Sequence, residues 1–201
     1  MSLDIQYSST DSIWEILTAI GTLAAVLVAL FGRALFKPRL RCSLFRLEGH
    51  RAANPQGVGA WFWYVAISNG WSFGPATSPR LNITRIERFG VNWETLWDLP
   101  YPVSPANNGL SNPPTLEPNS KTEALFDAVS LWQGDGHAFL HFHPQTIPFS
   151  FPLKLHGPIR LRLTFIAVAN EASSRPLTFE VDWDGQWAEP WQSMRSHVSI
   201  T

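Results

Sequence analysis

The sequence predicts a mainly β protein: one N-terminal transmembrane α-helix followed by an antiparallel β-sandwich, immunoglobulin-like or jelly-roll-like. Three observations carry this prediction. A long uncharged apolar run stands near the N-terminus, the hydrophobic period switches to two after Pro38, and Gly and Pro punctuate short segments through the rest of the chain. The 201 residues then divide into a short polar tail (1–12), a membrane helix (13–37) and a sandwich domain (38–201).

The apolar run comes first. Between Ile16 and Phe31 there is no charged residue, and nine positions are Leu, Ile, Val or Phe. At about −0.3 to −0.6 kcal/mol each, these nine favour insertion by about 3 to 5 kcal/mol. From Ile13 to Phe36 a helix measures about 36 Å, enough to cross a hydrocarbon core of about 30 Å with some tilt. A secretory signal peptide requires a basic start, whereas Asp4, Asp11 and Glu15 precede this run and no Lys or Arg does. A core helix would carry a polar face, and only Thr18 and Thr22 interrupt this one.

The flanks set an orientation. Arg33, Lys37, Arg39 and Arg41 follow the run, so the positive-inside rule places the N-terminus outside and the domain at the cytoplasmic face of the inner membrane. Pro38 ends the helix by pushing its predecessor out of the helical region. Along the span, Thr18, Gly21, Ala25, Ala29 and Gly32 recur at spacings of three and four, a stripe of small residues that lets a second helix approach closely.

Next come the strands. In Arg39–Leu44 the residues Leu40, Cys42 and Leu44 alternate with polar neighbours. Trp61, Trp63, Val65 and Ile67 face one way and Phe62, Tyr64 and Ala66 the other, marking a strand apolar on both faces that belongs in a sheet centre or against the membrane. Asn69-Gly70 supplies a turn. Arg80–Phe89 reads as a strand with a phase shift at Ile86. Ile159, Leu161, Leu163 and Phe165 alternate with Arg160, Arg162 and Thr164, and Leu177–Trp183 alternates likewise. The polar linker between them predicts an antiparallel hairpin with Arg160, Arg162, Glu180 and Asp182 pairing across its outer face. Asp184-Gly185 predicts another turn, with a return strand from Gln186 and Trp187. Thr122–Phe126 and Ala138–Phe142 are weaker strand candidates, and Glu94–Trp97 and Thr122–Val129 are compatible with a helical turn. A loop with six prolines spans Pro100–Pro118, and a second proline-rich stretch runs from Pro144 to Pro158.

Composition narrows the function classes. Net charge is −1 and no basic run occurs outside the membrane flank, which argues against nucleic acid. The lone Cys42 excludes an intrachain disulfide framework. Only 15% of residues are charged, against about a quarter in typical domains, and ten are Trp. Such a domain either packs its Trp residues inside or needs a cover, from the bilayer or from a partner.

Chemistry-bearing motifs are sparse. His137, His141 and His143, with Asp135 just upstream, are the one cluster that invites a metal reading, yet their spacing matches no closed zinc or iron motif. No nucleophile elbow, Walker lysine or dinucleotide fingerprint occurs, and no cofactor is implied. The expectation is a non-enzymatic single-pass protein acting as an interaction, assembly or accessory subunit of a membrane complex. Its partners would be the lipid bilayer and other membrane subunits or copies of itself. The alternative is a tethered ligand- or metal-binding sensor or enzyme built on the three histidines.

Overall fold

The computed structural model of the chain describes residues 9–53, 58–72, 74–106, 113–134, 137–145 and 151–201. Helix α1 (Ser9–Leu35) leads into strands β1 (Leu40–Leu44), β2 (His50–Ala53), β3 (Gly59–Asn69), β4 (Ala76–Thr77), β5 (Arg80–Phe89), β6 (Trp93–Trp97) and β7 (Tyr101–Pro102). Then follow β8 (Thr115–Leu116), β9 (Ala124–Gln133), β10 (Ala138–Phe142), β11 (Lys154–His156), β12 (Ile159–Val168), β13 (Leu177–Trp183), the one-turn α2 (Trp191–Met194) and β14 (Val198–Ile200).

Helix α1 begins at Ser9, four residues before the predicted start at Ile13, and residues 1–8 of the expected tail lie outside the described residues. Within it, Ile13–Gly32 is long and apolar enough to cross a membrane, and none of that stretch is buried against the domain. Thr18 donates its hydroxyl to the Trp14 carbonyl and Thr22 to that of Thr18, so neither leaves an unmet polar group on the apolar cylinder.

The strands build two antiparallel six-stranded sheets. One runs β1-β3-β9-β10-β11 with β2 also on β3; the other runs β14-β13-β12-β5-β6 with β7 also on β5. Strand β3 lies inside its sheet, as its doubly apolar sequence predicts. The inward faces meet in one core that includes Trp61, Trp63, Val65, Ile67, Leu81, Ile83, Leu161, Leu163, Phe165, Phe179 and Trp183. Of the ten Trp residues, only Trp14 in the helix and Trp71 are exposed, so the Trp-rich composition is mostly spent on core and half-buried positions.

The β12–β13 hairpin forms with Arg160 opposite Asp182 and Arg162 opposite Glu180. Its ion pairs are not simply the opposed ones. Glu180 accepts from both Arg160 and Arg162, and those bonds hold its carboxyl below the usual range. Asp182 makes no ion pair among the described residues. Register shifts occur beside Phe165 and at Ile86, close to where the sequence places a bulge.

Three local expectations fail. Glu94–Trp97 and Thr122–Val129 are not helical turns: the first falls in β6, and the second runs from two residues before the ten-residue β9 into it. The turn at Asp184-Gly185 is present, with Gly185 at φ +88°, where a Cβ would be strained. The return strand, however, is β14 at Val198–Ile200. Between them Trp187 and Trp191 pack on Trp61, closing one end of the sandwich. The proline-rich loop 100–118 contributes β7 and β8, and its residues 107–112 lie outside the described residues, as do 146–150 of the second proline-rich stretch.

Candidate functional site

The two sheets differ on their outer faces. On the second, Arg88 pairs with Glu94, Arg160 and Arg162 with Glu180, and the Arg162 guanidinium lies 4.0 Å from the centre of the Trp93 ring. That face is a solvated, mutually satisfied surface. The first sheet's outer face is aromatic. Phe62 and Tyr64 stack at 6.3 Å, Trp132 meets Phe62 edge-on at 5.7 Å, and His143 lies 5.5 Å from Phe62.

Part of this face is roofed by the start of the proline-rich loop. The Ser104 amide donates to the His143 carbonyl, the Ala106 amide to Leu125, and Asp127 donates its own amide to Ser104. Under the roof Tyr64, Ala66, Ala106 and Leu125 form a small second core. The Asp127 side chain is buried with it, and that burial pushes its pKa up to about 7.

The predicted histidines divide. The rings of His141 and His143 are 4.7 Å apart, whereas His137 lies before the start of β10, four residues or about 13 Å along the chain from His141. His137 lines a different concavity, with His156 and Trp187. Among the described residues no three His, Cys, Asp or Glu side chains gather as a metal centre requires, and Asp135 lies outside the described residues. Burial, then the neighbouring His141, pushes the His143 pKa down to about 3; burial, then Lys154, takes His141 down to about 4. Both rings are therefore neutral at pH 7.

His143 Nε2 is 2.7 Å from the Ser130 hydroxyl, which resembles a serine–histidine dyad. The geometry does not present a nucleophile. Ser130 is fully buried, and its oxygen already accepts the Trp132 indole N–H at 2.7 Å. The pair is a polar stitch beneath an aromatic layer. Among the described residues one buried side-chain atom, His141 Nδ1, has no hydrogen-bond partner, at a cost of about 1–3 kcal/mol.

Beside the roof a concavity of about 270 Å³ opens, lined by Phe45, Arg46, Glu48, Gly49, His50, Phe62 and Tyr64. It combines aromatic walls with a cation, an anion and an imidazole, the composition of a small-molecule site. Sequence patterning did not mark it, because its residues come from β3, β2 and the β1–β2 turn.

The third feature is the joint between helix and domain. Asn69, 2% exposed, accepts the Arg39 amide on Oδ1 at 3.0 Å and donates Nδ2 to the carbonyls of Gly74 at 2.8 Å and Leu116 at 3.1 Å. Gly74 packs so tightly on Phe36 that an added Cβ would collide with the Phe36 carbonyl oxygen. The Asn-Gly pair thus does more than turn the chain, since its Asn clamps the helix exit to the sandwich. Of the predicted basic flank, Lys37, Arg39 and Arg41 surround this joint, and the Arg33 side chain lies outside the described residues. The small-residue stripe of Thr18, Gly21, Ala25 and Ala29 is exposed along α1, while Gly32 is covered by Val28 and Phe36. No protein-family model, curated protein or solved structure matches this chain.

Proposed function

We propose that the chain is a single-pass membrane protein whose sandwich serves as an interaction or assembly unit at the cytoplasmic face of the inner membrane, as an accessory subunit of a larger membrane complex. One observation carries the reading. The apolar helix makes no contact that buries it, so its whole circumference needs lipid or other helices. The clamp at Asn69 supports it, because a tether joined rigidly to its cargo fixes how the domain is presented. Exposed Leu47, Phe89, Val91 and Leu99 add apolar points of contact on the domain.

Native mass measurement after extraction in a mild detergent tests the proposal. The expected particle holds the chain with partner subunits or with further copies of itself. A strictly monomeric particle overturns it.

A second reading rests on the concavity bounded by His50, Phe62 and Tyr64: the domain is a tethered sensor for a small polar-aromatic ligand. A ligand that raises the melting temperature of the wild-type chain, but not of a Phe62→Ala variant, would favour this reading over the first.

A further inference from the structure

The fold brings a distant arginine to the membrane flank. Arg39 and Arg41, on and just before β1, line a concavity of about 740 Å³ together with Arg175, from the approach to β13. Ser43, Ser68 and Ser174 share its walls, and no carboxylate does. Elsewhere on the domain the guanidiniums of Arg51, Arg85, Arg88, Arg160 and Arg162 find carboxylates within 4 Å, whereas Arg46, Arg80 and Arg195 make no ion pair among the described residues but do not line this hollow. None of the three arginines here makes an ion pair among the described residues, and all three are exposed.

Three unpaired guanidiniums around one hollow leave a positive field that an anion neutralises. Guanidinium is the side chain whose forked donors match phosphate oxygens two at a time. The hydroxyls of Ser43 and Ser68 take no hydrogen bond among the described residues, so they remain available as further donors. Position supplies the source of the anion. The Phe36 amide still bonds helically to the Gly32 carbonyl, which puts Phe36 about 6 Å beyond the end of the apolar stretch, within the headgroup layer. Trp71, 69% exposed, stands three residues before Gly74, which packs on Phe36, and exposed indole rings collect at such an interface.

We infer that Arg39, Arg41 and Arg175 form a binding site for the phosphate of an anionic phospholipid headgroup, resting on the membrane-anchored reading above. Arg175 makes it a site rather than a flank. Arg39 and Arg41 alone are a topology signal, whereas Arg175 lies 134 residues further along the chain and meets them only through the fold.

The test uses the full chain in nanodiscs of phosphatidylcholine alone or doped with phosphatidylglycerol, whose net charge is its uncompensated phosphate, with retained lipids counted by native mass spectrometry. The wild type retains the anionic lipid in preference. Arg175→Gln lowers that retention about fivefold, equivalent to about 1 kcal/mol for one basic residue at an anionic surface. Arg195→Gln, an exposed arginine at the opposite end of the sandwich, leaves it unchanged. Equal retention in wild type and Arg175→Gln overturns the site. If inorganic phosphate alone stabilises the detergent-held chain in an Arg175-dependent way, without lipid preference in the nanodiscs, the ligand is free phosphate and the lipid assignment falls. Alkaline carbonate washing separates the two levels. Release of the chain strikes the membrane reading itself, and the lipid source with it. Failure with the chain still embedded strikes only the headgroup site.

Discussion

Replacing Asn69 by Ala tests whether helix and domain are clamped or merely strung together. The substitution removes an acceptor used by the Arg39 amide at 3.0 Å and by the Ser72 hydroxyl at 3.1 Å, and a donor to Gly74 and Leu116. Gly74 keeps one partner, because Ser72 also donates to its carbonyl at 3.2 Å. The Leu116 carbonyl keeps its place opposite Ala76 in the β4–β8 ladder, whereas the Arg39 amide loses its acceptor inside a site 2% exposed. One stranded backbone group at about 1–3 kcal/mol, with the two amide donations to Gly74 and Leu116 lost at about 0.5–1.5 kcal/mol each, gives an expected loss of about 2–6 kcal/mol. For a domain of this size that lowers the melting temperature by about 4–24 °C, at about 2–4 °C per kcal/mol. The assay is thermal unfolding of the detergent-held chain by tryptophan fluorescence. Asn69→Asp sharpens it, since the acceptor survives while the Nδ2 donors become an oxygen facing two carbonyls. It should be at least as damaging. A shift below about 2 °C for Asn69→Ala, the range of an ordinary surface change, refutes the clamp.

Four further outcomes follow from named environments. Leu163, fully buried in β12 between Ile86 and Phe179, should cost about 2–5 kcal/mol when cut to Ala, whereas exposed Leu47→Ala should stay within about 0.5 kcal/mol; urea midpoints decide. Asp127 has its folded pKa raised to about 7 from an unfolded value near 4, so the folded state binds the extra proton between those limits. Its contribution is fully present below pH 4 and lost as pH rises through 7. Asp127→Asn should therefore gain stability relative to wild type between pH 5 and pH 8 in urea titrations, and a pH-independent difference would count against the burial. His141 and His143, with folded pKa values lowered, act in the opposite sense: their contribution is present above pH 6.5 and lost as pH falls toward 4 and 3. Burial holds the Cys42 thiol up at about 12, so the native chain should react very slowly with maleimides at neutral pH. Val91→Cys, at a position 93% exposed, then reports topology without background: in intact cells it should label with a membrane-permeant maleimide and not with an impermeant one.

Much of the fold is legible in the sequence where one face is wet. The β12–β13 hairpin announces itself because its outer residues are charged and its inner ones are not. The apolar helix is legible because the domain does not bury it, so packing against the sandwich puts no polar or patterned demand on its sequence. Strand β9 is the counter-case. Residues 124–131 are buried on both faces, inward by the core and outward by the Ser104–Ala106 roof, so period-two alternation disappears. Ser130 and Asp127 then interrupt what little pattern remains, and a helical turn reads as plausibly as a strand. The return after Gly185 misleads for a different reason. The turn chemistry is local and correct, but Trp187 and Trp191 are wanted at the end of the core, and that tertiary demand outweighs immediate hairpin pairing.

The candidate sites were less legible, because each is assembled across sequence distance. His141 and His143 do sit together, as period two requires, but in a strand His137 cannot join them. The charge flank at 37–41 reads as a simple positive-inside signal until the fold sets Arg175 beside it. Asn69-Gly70 reads as a turn until the Arg39 amide is found on the Asn side chain. These last two observations share one physical consequence. On the membrane-anchored reading, a flexible linker would let the sandwich tumble beneath the bilayer, whereas a buried four-bond clamp at the helix exit would hold the arginine-lined hollow at a fixed height and facing. A charge cluster on a mobile domain gains only averaged attraction to an anionic surface. Held within a Debye length of about 8 Å, the same three charges act together. Loss of the clamp should therefore weaken anionic-lipid retention in Asn69→Ala even though every arginine remains.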